Sequence, residues 1–238
     1  MRTTGTLFGR AEELSTLHGL VADARAGRGN ALVLKGEAGI GKTTLLDDAA
    51  TTATATGLTV LRGTGLEPES ELPFAGLHLL LRSVLDAVGD LDPDDARVLR
   101  RALGTDSGRT PRTDGDVPVG QALLTLFDTL ALRAPVLVVV DDAHWLDTPS
   151  AEALLFAARR ADAHPVAVLL AARDTHAPAF PTPGVPDLPL ARLDDTAVAA
   201  LLDAHTPDLD RHLRDETVGE AAGNPLAALT LAADRRAG

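Results

Sequence analysis

The chain has 238 residues, 45% of them hydrophobic, with a formal charge of −12 and no cysteine. That length can bury one large core, and the missing thiols exclude disulfides and thiolate metal sites. The acidic balance and an aromatic content of 3% argue against direct nucleic-acid binding, which draws on clustered cations and stacking rings.

The segment Leu7-Phe-Gly-Arg-Ala-Glu-Glu-Leu14 leads into helical spacing through Leu17, Leu20 and Val21, and the Gly27 to Gly29 region closes that helix. Ala31 to Lys35 predicts the first strand. Directly after it, Gly36-Glu-Ala-Gly-Ile-Gly-Lys-Thr43 fills every required position of the G-x-x-x-x-G-K-[ST] phosphate loop. A triphosphate needs many short donors converging on one point. The backbone N–H groups of Gly36, Glu37, Ala38, Gly39, Ile40, Gly41, Lys42, Thr43 and Thr44 are predicted to supply them. Lys42 adds a cation for the β and γ phosphates, Thr43 a hydroxyl ligand for Mg2+, and the helix that starts here the positive end of its dipole. The chain is therefore expected to bind ATP or ADP with Mg2+.

A helix is predicted from Thr43 to about Thr56, then a strand over Leu58 to Arg62. Gly63 to Pro73, with Glu67, Glu69 and Glu71, reads as a loop, and Phe74 to Val88 returns to helical spacing. Gly104 to Pro118 has almost no apolar residue to offset its ordering entropy, so a mobile surface loop is expected there. Val119 to Leu132 is helical and feeds a strand at Val136 to Val140.

Five consecutive apolar residues suit a strand buried on both faces. A carboxylate at the end of such a strand lies in the crevice where doubly wound sheets bind ligands, so Asp141 is predicted to serve the magnesium, directly or through water. Asp142 is placed to orient or deprotonate the water that attacks the γ phosphate. Alone, this pair would read as a solvated strand end or a helix cap; the phosphate loop upstream favours the metal reading. Pro149 to Ala161 predicts a helix capped by Asp147 or Thr148. Val166 to Ala172 predicts a fourth strand, and Asp187 to Arg192 a short fifth.

From Asp194 onward, helical spacing broken at Pro207 and at Gly223-Asn-Pro225 predicts a small helical subdomain. The expected architecture is an α/β P-loop NTPase: a parallel sheet of about five strands with right-handed crossovers and helices on both faces. Residues 1–193 form the core and 194–238 the helical subdomain. No run of about eighteen apolar residues and no basic N-terminus ahead of an apolar segment occurs, so neither a membrane span nor a signal peptide is expected and the cytoplasm is the predicted location. The seven histidines are scattered, without a metal-binding pair.

Phe8-Gly-Arg10 with Glu12-Glu13, the loop Gly36 to Thr43, Pro73-Phe74, Asp141-Asp-Ala-His-Trp-Leu-Asp147, Ala171-Ala-Arg173 and Gly223-Asn-Pro-Leu226 together resemble the ATPase module of LuxR-type large ATP-binding transcriptional regulators. Those belong to the signal-transduction ATPases with numerous domains, near the AAA+ proteins. The resemblance implies that Arg173 reads the γ phosphate, that Pro225 contacts the adenine or ribose, and that Phe8, Gly9 and Arg10 line the base pocket. It also implies a slowly hydrolysing ATP/ADP switch that acts through a protein partner or self-association. An AAA+-like remodelling or loading ATPase is the alternative, and a small-molecule P-loop kinase a third. Members of that family continue to a helix-turn-helix. This chain ends at Gly238, so it is expected to be an excised module or a stand-alone paralogue, and DNA binding is not carried over.

Overall fold

The computed structural model describes residues 7–105, 118–174 and 180–237. The loop expected at 104–118 lies, apart from Gly104, Thr105 and Pro118, outside the described residues.

Five parallel strands form one sheet: β1 (Asn30–Lys35), β2 (Thr59–Thr64), β3 (Val136–Asp141), β4 (Val166–Ala172) and β5 (Asp187–Pro189). Their order across the sheet is β2-β3-β4-β1-β5. Every residue of β4 and Val136 to Val140 of β3 are buried, and the two-residue period sends alternate side chains to opposite faces. Val136, Val138, Val140, Val168 and Leu170 face α3 (Ala75–Leu81), α4 (Pro93–Ala102), α5 (Val119–Ala131) and α6 (Thr148–Ala158). Leu137, Val139, Ala167 and Leu169 face α1 (Ala11–Arg25) and α2 (Lys42–Ala55). Each side chain of this size removed from water contributes about 1.5–3 kcal/mol, so the middle of the sheet carries much of the core's stabilisation.

A separate apolar cluster ties together α7 (Asp195–His205), α8 (Arg211–Ala221) and α9 (Pro225–Ala237) around Val198, Leu202, Ala228 and Ala232. Phe8, from the start of the chain, packs against it. Asp194 caps α7 by accepting from the Ala197 amide at 2.7 Å, and Asp210 caps α8 by accepting from the His212 amide at 2.8 Å.

Several details differ from the sequence reading: β2 runs on to Thr64, pairing with β3 as far as Asp141, and β5 ends at Pro189 instead of Arg192. Phe74 to Val88 is not one helix: α3 stops at Leu81, and tighter three-residue bonds such as Val84 N–H to the Leu81 carbonyl turn the chain into a 3-10 segment over Leu85–Asp90. The helix after β3 ends at Ala158 instead of Ala161, again through a three-residue bond from Arg160 to Ala157. Helix α4 was not expected at all, although Asp92 caps it by accepting from the Asp94 amide at 3.0 Å and Pro93 occupies its first turn.

Candidate functional site

The phosphate loop connects β1 to α2, at the point where the chain leaves β1 in mid-sheet and crosses to β2 at the edge. Crevices at such reversals are where open α/β sheets take ligands. The first turn of α2 carries no acidic side chain, leaving its dipole end open to an anion. Lys42 is 7% exposed, and its Nζ donates to the carbonyls of Gly36 and Glu37, each at 2.8 Å. Burial pushes its pKa down, while the neighbouring carboxylates Asp142 and Asp141 oppose that shift and Arg173 adds to it.

The strand ends bring the acidic pair to this loop. Thr43 Oγ1 donates to Asp141 Oδ2 at 2.6 Å, and the other oxygen of Asp141 accepts from the Asp142 amide at 2.8 Å. Asp142 itself sits in the left-handed region at φ 45°, a conformation that aspartate tolerates better than most residues. Its Oδ1 lies 3.8 Å from Arg173 Nε, at the end of the neighbouring strand. A cavity of about 1010 Å³ begins at Thr43, Thr44 and Asp141 and runs along α2 and β2 past Asp47, Arg62 and Thr64, so it meets the metal side of the site and leaves Lys42, Asp142 and Arg173 outside its lining.

The donor set suits Mg2+. No group of three or more His, Cys, Asp or Glu side chains forms a cage among the described residues. Magnesium beside a polyphosphate, however, keeps its waters and takes only one or two protein oxygens. Thr43 Oγ1 and Asp141 Oδ2, already adjacent, offer those two hard oxygens.

The remaining predicted residues divide. Ile40 is 1% exposed with its side chain in the core, so only its backbone faces the loop interior. Arg10 is buried, donating to the carbonyls of Ile40 at 3.1 Å and Ala191 at 2.8 Å and pairing with Glu13 at 2.7 Å. It clamps the loop to the segment after β5. Gly9, at φ 66°, packs so tightly on α7 that a Cβ there would stand 2.7 Å from that of Ala197. Phe8-Gly9-Arg10 therefore lies at the joint between sheet and helices. Pro225 opens α9, directly behind Asn224.

Asn224 was missed as a site residue. Its Oδ1 caps α9, accepting from Leu226 N–H at 3.1 Å and Ala227 N–H at 3.2 Å, while its amide donates to the Ala38 carbonyl at 2.9 Å and to Glu37 Oε1 at 3.0 Å. Arg192 holds the other Glu37 oxygen at 2.8 Å. The Leu226 amide reaches the Gly39 carbonyl at 3.3 Å, and Leu226 leaves no room for a Cβ on Gly39, which would stand 2.6 Å away. In the sequence Asn224 stands inside the Gly223-Asn-Pro-Leu226 motif and as an Asn ahead of a helix-starting Pro, signals that name no remote partner.

The Arg192 hydrogen bond, followed by that of Asn224, holds the Glu37 carboxyl below the ordinary carboxylate range. A lowered native pKa contributes stability that is fully present above the unfolded carboxylate value and is lost as pH falls through the native one. The melting temperature of the wild type is thus expected to exceed that of Glu37→Gln near pH 7. The gap should close as pH falls through the lowered native value. A gap that stays constant across that range would remove the charge on Glu37 as its cause.

The family model described as AAA ATPase domain matches residues 6–170. An uncharacterized protein of Rhizobium meliloti (strain 1021) is 27% identical over 263 aligned positions, covering 94% of this chain and 24% of that protein. Among solved structures, the Aeropyrum pernix Orc1 protein in complex with DNA superposes with a TM-score of 0.61 at 18% identity, over 99% of this chain and 62% of that one. The Thermotoga maritima RuvB Holliday junction branch migration motor gives 0.51 at 16% identity, over 94% of this chain and 60% of that one. The chain thus spans about a quarter of the curated relative and about three fifths of each solved protein. At these identities the solved structures speak for the fold alone.

Proposed function

Because the chain belongs to the AAA ATPase domain family, we propose that it binds ATP or ADP with Mg2+ and hydrolyses ATP slowly, as the nucleotide switch of a signalling protein of the LuxR-regulator type. The observation that carries the switch reading is the contact of Asn224, Arg192 and Leu226 with the phosphate loop itself. A loop that closes on a nucleotide changes its ties to α7, α8 and α9. That helical unit, residues 194–238, moves with it as a subdomain and presents or withdraws a surface for a protein partner or a second copy.

Within the site, Lys42 leaves its two loop carbonyls for the β and γ phosphates. Thr43 and Asp141 hold the metal, which when bound neutralises phosphate charge. Asp142 orients the attacking water and takes its proton, while Arg173 turns its fork to the γ phosphate. Phe8, Gly9 and Pro225 sit beside the base, at the joint. DNA is not among the partners we propose for this chain, given its charge of −12. Among the described residues no helix is long and apolar enough to cross a membrane.

Two substitutions separate the acidic roles. Asp142→Asn is expected to keep Mg·ATP binding while hydrolysis falls at least about tenfold, as general-base loss requires. Asp141→Asn should also abolish the metal dependence of binding. Wild-type turnover in Asp142→Asn, followed by phosphate release, would take Asp142 out of the mechanism. The remodelling reading differs in needing an arginine supplied by a neighbouring copy and a ring or filament. ADP retained through gel filtration of a monomer favours the switch; an empty, rapidly cycling ring favours remodelling.

A further inference from the structure

His144 has no part in the mechanism above, yet its side chain is fully buried between the two strand ends that carry the reaction. The 3-10 turn Ala143–Trp145, just after β3, folds the ring back under Asp142 and towards β4. Its Nδ1 accepts from the Arg173 backbone N–H at 3.4 Å. A neutral imidazole that accepts through one nitrogen carries its proton on the other, so the donor is Nε2–H. That Nε2 lies 3.8 Å from Asp142 Oδ1. Arg173 Nε lies at the same 3.8 Å from the same oxygen.

One carboxylate oxygen therefore stands between two donors, each about 1 Å beyond hydrogen-bond length. The donors differ in mobility. Arg173 has a flexible stem and a side chain 41% exposed, whereas His144 is enclosed and anchored. A full Arg173–Asp142 ion pair would draw the carboxylate away from the water and occupy the guanidinium at once.

We propose that His144 is a positioning residue for hydrolysis: its Nε2–H closes on Asp142 Oδ1, keeps that carboxylate from following Arg173 to the phosphate, and leaves Oδ2 to receive the proton of the attacking water. The proposal rests on the hydrolytic reading of Asp142 given above. One ring thereby links the backbone of the residue that contacts phosphate to the carboxylate that handles water, across adjacent strands.

The test compares side chains that reach different distances. Asparagine can accept from the Arg173 amide but has no group where Nε2 stands, whereas glutamine can place an N–H there. His144→Asn is expected to lower kcat about tenfold with KM for ATP unchanged, and His144→Gln to restore kcat to within about threefold of wild type, because a misplaced catalytic group costs rate and not ground-state binding. In an Asp142→Asn background, His144→Asn should change kcat by less than about twofold, since residues acting as one unit are non-additive. Equal losses in the Asn and Gln variants, a parallel rise in KM, or full additivity with Asp142→Asn would each overturn the proposal. If Asp142→Asn alone turns over at the wild-type rate, the hydrolytic reading fails first. If it is slow while His144→Asn is not, only the role of His144 is lost.

Discussion

Lys42→Ala is expected to weaken ATP affinity by about one to two decades, from roughly 1.5–3 kcal/mol for hydrogen bonds made by a charged group. The ammonium sits where the loop, α2 and both strand-end carboxylates converge, and burial already penalises its charge. A phosphate oxygen would offer it a stronger partner than the Gly36 and Glu37 carbonyls it now holds at 2.8 Å. Titration calorimetry with ATP and ADP reads the loss. Saturating nucleotide at about a hundred times its dissociation constant should stabilise the wild type by about 2.7 kcal/mol, and the variant less at the same concentration. Undiminished affinity in a folded variant would mean that the phosphates do not lie in this loop.

Stability should depend as strongly on Asp147, which is 2% exposed. Its Oδ1 accepts from the Ser150 amide at 2.9 Å, capping α6, and from the Phe74 amide at 2.8 Å, while Oδ2 accepts from Gly76 at 3.0 Å. One carboxylate thus starts α6 and fixes the entry to α3. Truncation to alanine removes a cap, typically about 1 kcal/mol, and strands part-buried N–H groups at about 1–3 kcal/mol, so a loss of about 2–4 kcal/mol is expected in urea unfolding. Asparagine keeps one accepting oxygen and should fall between the two. A change below about 0.5 kcal/mol in Asp147→Ala would mean that water replaces the carboxylate at all three amides.

What the sequence disclosed follows the range of its signals. Gly36 to Thr43 and Val136 to Asp141 declare themselves within a few residues, because backbone spacing and strand burial are local properties. Asp147 was legible as a cap for the same reason, but its hold on Phe74 and Gly76 spans more than seventy positions and has no local pattern. The Asn224 contact with Ala38 crosses 186 positions. Arg10 shows the same limit on a different scale. A resemblance assigned it to the base pocket, and only packing reveals a guanidinium engaged by Ile40, Ala191 and Glu13. Helix α4 lies outside the elements read from the sequence, although Asp92-Pro93 is a local start signal for it.

The order of the strands also bears on how the chain reaches this fold during synthesis. β1 lies between β4 and β5, both made later, and its ladder runs from Asn30 opposite Ala167 to Lys35 opposite Ala172. The segment that carries the phosphate loop leaves the ribosome before either of those strands, and it has no strand to pair with until more than a hundred further residues have followed. Such late, distant pairing raises contact order, slows folding and leaves an unpaired edge open to aggregation in the interval. A chain cut short of Val166 would hold every residue of the phosphate loop and still lack both strands that pair with β1.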